Sequence, residues 1–331
     1  MGDGFYSDSL GKSGLARVVT SVHAPQPILQ PWRFRRRWYH SFPFHLLLFL
    51  LAILTTLTVG AHIAMNYARN LPAFDWDLSL AFFSELIRQP SLLELGLPFS
   101  FTLLTILLAH ELGHYLTCRY YGIDATYPYF IPAPTLIGTL GAFIRIKSPI
   151  VTRRALFDVG ISGPLVGFVV AIPALALAVL HAKALAPAQP PETITLGNPL
   201  TVILLAKLLR PGIDPAAIVL HPVGCAAWVG LFATALNLLP AGQLDGGHIL
   251  YAVLGERHRT VSRGLFLALV PLGVFCWIGW MVWATILLAI GLRHPVVMIP
   301  SEPLGKGRML LAVVAAAIFI LTFVPTPLAV R

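Results

Sequence analysis

The feature that most constrains the fold is an apolar run, Leu97 to Leu116, that contains three ionisable side chains. The run has the length of a membrane-spanning helix, which needs about 20 mostly apolar residues. His110, Glu111 and His114 lie towards its end, and burying such groups in hydrocarbon is costly. The chain must therefore fold so that these side chains face protein or water. An ionisable cluster in that position indicates a functional site.

The spacing of these three residues favours a metal site. On a helix, His110 and His114 lie on the same face one turn apart, so both imidazoles reach one ion in a geometry that suits tetrahedral zinc. Glu111 follows the first histidine directly, where its carboxylate reaches a water molecule on the metal. This is the H-E-x-x-H pattern, in which the glutamate is the general base of a zinc hydrolase. A purely structural histidine pair is the alternative, and the cost of burial in a bilayer disfavours it.

Composition indicates a protein that crosses the membrane several times. Of the 331 residues, 57% are hydrophobic and 11% are charged, whereas soluble domains carry about 25% charged residues. The formal net charge of +9 is typical of membrane proteins whose cytoplasmic loops face anionic lipid. We expect no nucleic-acid partner, because no basic stripe interleaved with aromatic residues lies on a soluble module.

The three cysteines form neither a paired framework nor a C-x-x-C motif. Cys118 lies four residues after His114, so it is a conceivable metal ligand. The favoured interpretation is a small apolar side chain that fills space at a helix end, because unreactive buried cysteine is common.

The apolar runs predict an all-α polytopic membrane protein with about six transmembrane helices. The expected spans cover residues 43–65, 97–118, 156–182, 222–239, 264–292 and 309–323. Residues 264–292 make either one long tilted helix or two short segments broken near Pro271 and Gly273. The chain divides into a basic cytosolic N-terminal tail (1–40), a first transmembrane helix with an outer interfacial segment (41–96), a catalytic core (97–255) and C-terminal transmembrane helices (256–331).

Basic residues set the predicted orientation. An arginine cluster at positions 33 and 35–37 precedes the first span, and further basic residues flank the segment 119–155. The positive-inside rule places both on the cytoplasmic side, together with the N-terminus. Residues 184–221 are then outside, with a short amphipathic stretch at Leu200–Leu209. About 38 residues are too few for an inserted globular domain, since domains typically begin near 50 residues.

Two glycine-containing stretches within the core have open interpretations. Residues Gly138–Ile146 alternate in a β-like pattern, which predicts a small hairpin at membrane depth. One interpretation is that a free strand edge there binds an extended substrate by strand addition. The other, equally favoured, is an ordinary surface hairpin with no role in binding. The third span opens with Gly160, Gly163 and Gly167, small residues that let helices approach closely in lipid. Helix packing is the default interpretation of these glycines. The more specific hypothesis is that they form a groove beside the metal.

The fourth span ends in a stretch that supplies a third ligand. Pro240 and Gly242 interrupt the helix and let the backbone bend towards a site. Asp245 then completes a His, His and carboxylate set with one open position for water. His248 is the rival ligand, because on a helix it shares a face with Asp245. Asn237 either holds substrate or a tetrahedral oxyanion, or packs by a hydrogen bond, and the two roles weigh equally.

The stretches His110-Glu-Leu-Gly-His114 and Asn237-Leu-Leu-Pro-Ala-Gly-Gln-Leu-Asp-Gly-Gly247 together resemble the motifs of the site-2 protease family, which are intramembrane zinc metalloproteases. Two motifs on separate spans, in this order, are far more specific than either alone. The resemblance covers about residues 97–255 and implies a catalytic core of three helices. It also implies that the hairpin around residues 138–146 is the family's membrane-embedded substrate-binding β element.

Carried over to this chain, the family pattern implies one Zn²⁺ ion bound by His110, His114 and Asp245, with Glu111 as the catalytic base. The chain departs from better-known members because it has no room for a PDZ domain between the third and fourth spans and no appended CBS domain. Asp245 stands in Leu-Asp-Gly rather than Pro-Asp-Gly, and Gly167 stands where many members have asparagine. These differences concern regulation and substrate preference.

The arrangement is nearest to the PDZ-less branch, which includes plant chloroplast proteins of the ethylene-dependent gravitropism-deficient type and many bacterial relatives. The expected activity is hydrolysis of peptide bonds within or near transmembrane segments of membrane-protein substrates. The expected location is the lipid bilayer of a bacterial inner membrane. A metal-ion transporter and a proteolytically silent membrane scaffold are the rival classes. A transporter does not need Glu111 beside the first ligand, and a scaffold should lack a ligand or the glutamate.

Overall fold

The computed structural model describes residues 41–74, 80–184, 194–291, 297 and 303–330. The predicted cytosolic tail, residues 1–40, lies outside this set. Helices make up most of the described chain. The α-helices are α1 (Phe42–Arg69), α2 (Leu80–Arg88), α3 (Leu97–Tyr120), α4 (Arg153–Leu180), α5 (Leu200–Leu209), α6 (Pro222–Asn237), α7 (Asp245–Leu254), α8 (His258–Phe275), α9 (Gly279–Ile290) and α10 (Lys306–Thr322).

Three helical segments in the described chain are long and apolar enough to cross a membrane, where the sequence predicted about six. They are α1, the segment Pro90–Tyr120 and α4. The second segment joins a 3₁₀ helix, Pro90–Gly96, to α3. The predicted fourth span is α6, whose 16 residues extend only about 24 Å, less than the ~30 Å of a bilayer core.

The C-terminal helices resolve the question left open for residues 264–292. The segment forms two helices, α8 and α9, so it is not one long tilted helix. The break lies at Cys276–Ile278, a little beyond the expected position, and Pro271 lies inside α8. The predicted amphipathic stretch at Leu200–Leu209 forms α5 with the same bounds.

The centre of the bundle is formed by α3, α4 and α6, which all contact one another. Glycines allow the close approaches. A β-carbon on Gly113 of α3 would lie 2.6 Å from the carbonyl oxygen of Ser162 in α4. A β-carbon on Gly230 of α6 would lie 2.7 Å from a methyl group of Ile106 in α3. The backbones of these helices therefore pack closer together than larger residues would permit.

Three two-stranded antiparallel sheets accompany the helices within the described chain, so the protein is mostly helical rather than all-α. The strands are β1 (Tyr129–Pro132), β2 (Thr139–Phe143), β3 (Lys183–Ala184), β4 (Ile194–Leu196), β5 (Ile218–Val219) and β6 (Leu328–Val330). The pair β1–β2 is a hairpin whose second strand and turn overlap the predicted stretch 138–146, whereas β1 lies before it. The pairing has an irregularity between Phe130 and Pro132. The pairs β3–β5 and β4–β6 were not predicted, because strands of two or three residues show no readable alternation.

The turn of the β1–β2 hairpin packs against the middle of α1. Gly138 has φ +77°, and a β-carbon there would lie 2.7 Å from the carbonyl oxygen of Thr55. The rings of Phe49 and Phe130 also meet, with centroids 4.8 Å apart. At the level of this turn, Thr56 of α1 and Ser100 of α3 share a hydrogen bond of 2.7 Å. The hairpin therefore runs alongside a helix that has the length of a membrane span.

Candidate metal centre

Helix α3 carries the first part of the site. His110, Glu111 and His114 are 5%, 5% and 6% exposed, so the whole motif is buried within the bundle. The two imidazoles are one turn apart on one face, and their Nε2 atoms lie 3.1 Å from each other. The motif begins ten residues before the end of α3 at Tyr120, which places it in the half of the helix nearer that end.

A helix break brings the second part of the site to the first. α6 ends at Asn237 and α7 begins at Asp245, with a loop between them in which Gly242 has φ +56°. The first turn of α7 folds tightly back on this loop, since a β-carbon on Gly246 would overlap the carbonyl oxygen of Leu238. Asp245 is the first residue of α7, where the positive end of the helix dipole favours a carboxylate.

The three side chains converge on one point. Asp245 Oδ2 lies 3.3 Å from His110 Nε2 and 3.2 Å from His114 Nε2. Within the described chain, this is the one group of three potential metal-ligating side chains whose ligand atoms all lie within 4.8 Å of one another. Two imidazole nitrogens and one carboxylate oxygen are a donor set that zinc accepts in catalytic sites. The residues present therefore fit a zinc ion.

Contacts behind the ligands orient the histidines. His114 Nδ1 donates to the carbonyl oxygen of Val159 in α4 at 2.7 Å, which leaves Nε2 to face Asp245. Such a partner fixes the tautomer and the direction of a metal-binding imidazole. The side-chain amide of Asn237 donates to His110 Nε2 at 3.2 Å. Asn237 thus lies directly against the site, although the sequence left its role open.

Two glycines of α4 form a surface on which both imidazoles rest. A β-carbon on Gly163 would overlap the ring of His114, with Nε2 as the nearest atom. A β-carbon on Gly167 would lie 3.1 Å from Nδ1 of His110. Helix packing and a groove beside the metal were the two roles predicted for Gly160, Gly163 and Gly167. In the structure Gly163 and Gly167 have the packing role, because α4 contacts the imidazoles of α3 at these two residues.

A family model described as peptidase family M50 matches residues 98–278, which is more than half of the chain and contains all four candidate site residues. The chain belongs to this family. Family M50 comprises the site-2 proteases, so the resemblance drawn from the two motifs is confirmed.

Several curated plant proteins are similar to this M50 chain. One is the probable zinc metalloprotease EGY2, chloroplastic, of Arabidopsis thaliana, which is 32% identical over 62% of this chain and 36% of its own length. EGY1 of the same plant, with the same description, is 31% identical over 64% of the chain and 41% of its length. EGY3 of Oryza sativa subsp. indica is 28% identical over 69% of the chain and 42% of its length.

The M50 chain spans less than half the length of these curated relatives. No solved structure matches it. The relatives' names therefore describe proteins with additional sequence outside the matched region.

The two rival ligands lie elsewhere in this M50 chain. His248 is on α7, and its β-carbon lies beside Gly160, outside the convergent group. Cys118 is fully buried in a small apolar cluster with Ile123, Ala155 and Val159, as expected of a space-filling side chain. Asp245 is therefore the candidate that the geometry places beside both imidazoles.

Two backbone groups of the site were not found from the sequence. One is the Val159 carbonyl, and the other is the backbone of Ile144, just after β2, which lies close to the Glu111 carboxylate. Backbone groups leave no sequence signature, because every residue has them. The contact at Ile144 connects the end of the hairpin to the proposed catalytic base.

Proposed function

We propose that the chain is an intramembrane zinc metalloprotease that hydrolyses peptide bonds within or near transmembrane segments of membrane proteins. The observation that carries the proposal is the convergence of His110, His114 and Asp245 from α3 and α7, with Glu111 buried next to the first histidine. Membership of a peptidase family and similarity to proteins named as zinc metalloproteases support it.

Each site residue has a role in this proposal. His110, His114 and Asp245 would hold one zinc ion, which supplies a Lewis acid that polarises the scissile carbonyl and activates water near neutral pH. Glu111 accepts the proton of the attacking water and delivers it to the leaving amine. The backbone of Ile144 lies close to the Glu111 carboxylate, and a hydrogen bond from it would hold the carboxylate in place for both transfers. Asn237 is close enough to the site to donate a hydrogen bond to the developing oxyanion.

The β1–β2 hairpin is suited to present the substrate to this site. A peptide bond within a helix hides its carbonyl in the i to i−4 hydrogen-bond ladder, so a substrate helix must unwind before cleavage. Within the described chain, β2 pairs with β1 alone, so its second edge has no strand partner and is the edge to which an extended segment would add. Leu140 on β2 is 66% exposed, as expected of a surface that meets lipid or substrate.

The proposal includes a membrane location with the site towards the cytoplasm. α3 ends and α4 begins at the same end of the bundle, where Arg119, Arg153 and Arg154 lie close to the metal-binding motif. By the positive-inside rule this end is cytoplasmic. The named relatives are chloroplast proteins of plants, and we propose a bacterial inner membrane for this chain.

Replacing Glu111 with glutamine tests the catalytic proposal. Loss of a general base typically lowers the rate by roughly 10² to 10⁴-fold, whereas the ligands remain intact. We expect the E111Q protein to keep its zinc, measured by elemental analysis, and to lose cleavage, measured as membrane-protein fragments in cells. Glu94→Gln, the same chemical change at an exposed position of the same span, is the matched control and should retain cleavage.

The rival functions give different results in the same experiment. A metal transporter keeps ion flux when Glu111 is replaced, and a silent scaffold shows the same membrane-protein fragments with and without the substitution. Either result would contradict the protease proposal. So would a folded wild-type protein that retains no zinc.

Replacing Asp245 with alanine tests the ligand set. We expect D245A to lose zinc, because two histidines alone hold the ion less tightly than the complete set of three ligands. His248→Ala, three residues further along the same helix, should retain zinc since that side chain lies outside the convergent group. Loss of zinc in H248A but not in D245A would reverse the assignment of the third ligand.

A further inference from the structure

A second polar cluster lies at the end of the bundle near the site, and it joins three helices. Arg308 of α10 binds Asp158 of α4 in a bidentate arrangement, with Nε 2.8 Å from Oδ1 and Nη2 2.7 Å from Oδ2. Tyr121, the first residue after α3, donates its hydroxyl to Asp158 Oδ2. Arg308 Nη2 also donates to the Tyr121 hydroxyl at 3.3 Å. We name Arg308, Asp158 and Tyr121 the Arg308 clamp.

The clamp is partly buried, and its geometry fixes how the three side chains are arranged. The side chains of Arg308 and Asp158 are 29% and 23% exposed, and a planar guanidinium that binds both carboxylate oxygens fixes direction as well as distance. Burial, followed by the contact with Asp158, raises the pKa of Tyr121 above its ordinary value. Its hydroxyl therefore stays protonated at neutral pH and remains a donor to the carboxylate.

The clamp lies one residue away from a group that orients a metal ligand. Asp158 precedes Val159, whose carbonyl oxygen accepts the hydrogen bond from His114 Nδ1. The same imidazole rests on the backbone of Gly163, one turn further along α4. A helix moves as a rigid unit over this distance, so the position of α4 along α3 sets both contacts to His114. Tyr121 and Asp158 tie these two helices together beside the contacts.

We propose that Arg308 is a positioning residue for the metal centre, because by holding Asp158 and Tyr121 together it fixes α4 against α3 and so fixes the direction of His114. The inference rests on the metal site of the proposed function. It adds a residue from outside the matched region, since the family model covers 98–278 and Arg308 lies beyond it. α10 thereby becomes part of the support of the site, although it carries none of its ligands.

Metal affinity in the purified full-length protein tests this role without relying on activity. We expect Arg308→Gln to weaken zinc binding by up to the roughly 10- to 100-fold that follows removal of a direct hydrogen-bond partner of a ligand, because Arg308 acts on His114 only through Asp158 and α4. We expect Arg308→Lys to have a smaller effect, because lysine keeps the charge and loses the fork. Zinc affinity is measured by competition with a chromophoric chelator, and the visible spectrum of the Co²⁺-substituted protein reports the ligand geometry.

Arg154→Gln is the matched control. Arg154 also joins α4 to the segment before α10, through a 3.0 Å hydrogen bond from Nε to the carbonyl oxygen of Pro303, but it lies five residues from Val159 and bonds neither Asp158 nor Tyr121. We expect the R154Q protein to keep wild-type zinc affinity and the wild-type cobalt spectrum. Thermal unfolding of each variant separates a loss of fold from a loss of ligand geometry.

Three outcomes would overturn the inference. They are a folded R308Q protein with unchanged zinc affinity and cobalt spectrum, an R154Q protein that loses as much affinity as R308Q, and a wild-type protein that binds no zinc. If R308Q does not fold, Tyr121→Phe decides the matter, since it removes one hydroxyl and keeps the ion pair. Wild-type zinc affinity in Y121F would then refute the role. A wild-type protein that binds zinc tightly and cleaves nothing contradicts the proposed function alone.

Discussion

At the scale of single residues, His114 is held by backbone groups of α4 rather than by a side chain behind its ring. His114 donates to the Val159 carbonyl and lies flat against Gly163, so its ring has little freedom to rotate. A polar side chain behind the ring would add conformations of its own, whereas a helical carbonyl is fixed by its helix. The site therefore requires glycine at position 163, because any side chain there would overlap the imidazole of His114.

Replacing Gly163 with alanine should damage the metal site more than the fold. The new methyl group overlaps the imidazole of His114, and such overpacking typically costs about 1–3 kcal/mol. Because the imidazole is the nearest movable group, we expect it to shift and zinc affinity to fall by roughly tenfold or more. Zinc titration of the purified protein measures the change.

The control for this substitution is Gly264→Ala in α8. No atom lies within 4 Å of a β-carbon built there, and alanine favours a helix more than glycine does. G264A should therefore bind zinc like the wild type. Equal zinc affinity in G163A and the wild-type protein would show that the ring does not depend on the glycine.

At the scale of helices and strands, the sequence predicted those features that depend on local pattern. The long apolar runs predicted α1, α3 and α4, and the i, i+4 spacing placed both histidines on one face of α3. The bend before Asp245 was expected from Pro240 and Gly242, whose effect on the backbone is local. These features need only short stretches of sequence.

The features that the sequence did not predict depend on residues far apart along the chain. β4 pairs with β6, and Thr195 bonds a residue 134 positions away. The clamp joins Asp158 to Arg308 across 150 positions. The sequence also left open whether residues 264–292 form one helix or two, because composition shows where apolar residues lie but not where a helix ends.

The hairpin carries the next prediction. Replacing Gly138 with alanine adds a β-carbon 2.7 Å from the Thr55 carbonyl, so the turn must move away from α1. If the hairpin presents substrate, we expect cleavage to fall at least roughly tenfold while zinc content stays unchanged, because a misplaced substrate loses the proximity contribution to the rate. Cleavage and zinc content are measured on the same preparation.

Gly122→Ala is a control with the same backbone strain. Gly122 has φ +66°, close to the +77° of Gly138, but no atom lies within 4 Å of its added β-carbon. A difference between the two variants therefore reports the collision with α1 and not the left-handed conformation itself. If G138A cleaves as well as G122A, the position of the hairpin is irrelevant to catalysis.

At the scale of the whole molecule, the two ends of the bundle differ in charge. Arg119, Arg145 and Arg153 lie at the end where α3 stops and α4 starts. The Arg308 clamp lies at this end too, because it contacts Tyr121 and Asp158. Lys147, Arg154 and Lys306 lie at this end as well. The opposite end, where α1 and α4 stop, carries Arg69, Lys183, Lys207 and Arg210. The excess of basic residues therefore lies on the side of the metal centre.

This asymmetry leads to a prediction about orientation in the membrane. Single cysteines at Pro149, between β2 and α4, and at Gly212, between α5 and α6, mark the two ends of the bundle. By the positive-inside rule, a membrane-impermeant thiol reagent added outside intact cells should label Gly212→Cys and leave Pro149→Cys unlabelled. After the cells are permeabilised, both should react.

The background for this experiment is Cys276→Ala, because Cys276 is half-buried whereas Cys118 and Cys225 are buried. The background protein without an added cysteine reports any labelling of the two buried thiols. Both marker positions lie outside the helices and the site, so cleavage and zinc content confirm that each variant is intact. The reverse pattern, with Pro149→Cys labelled from outside, would place the metal centre towards the outer surface. Water and the cleaved substrate segment would then reach Glu111 from the opposite side of the membrane.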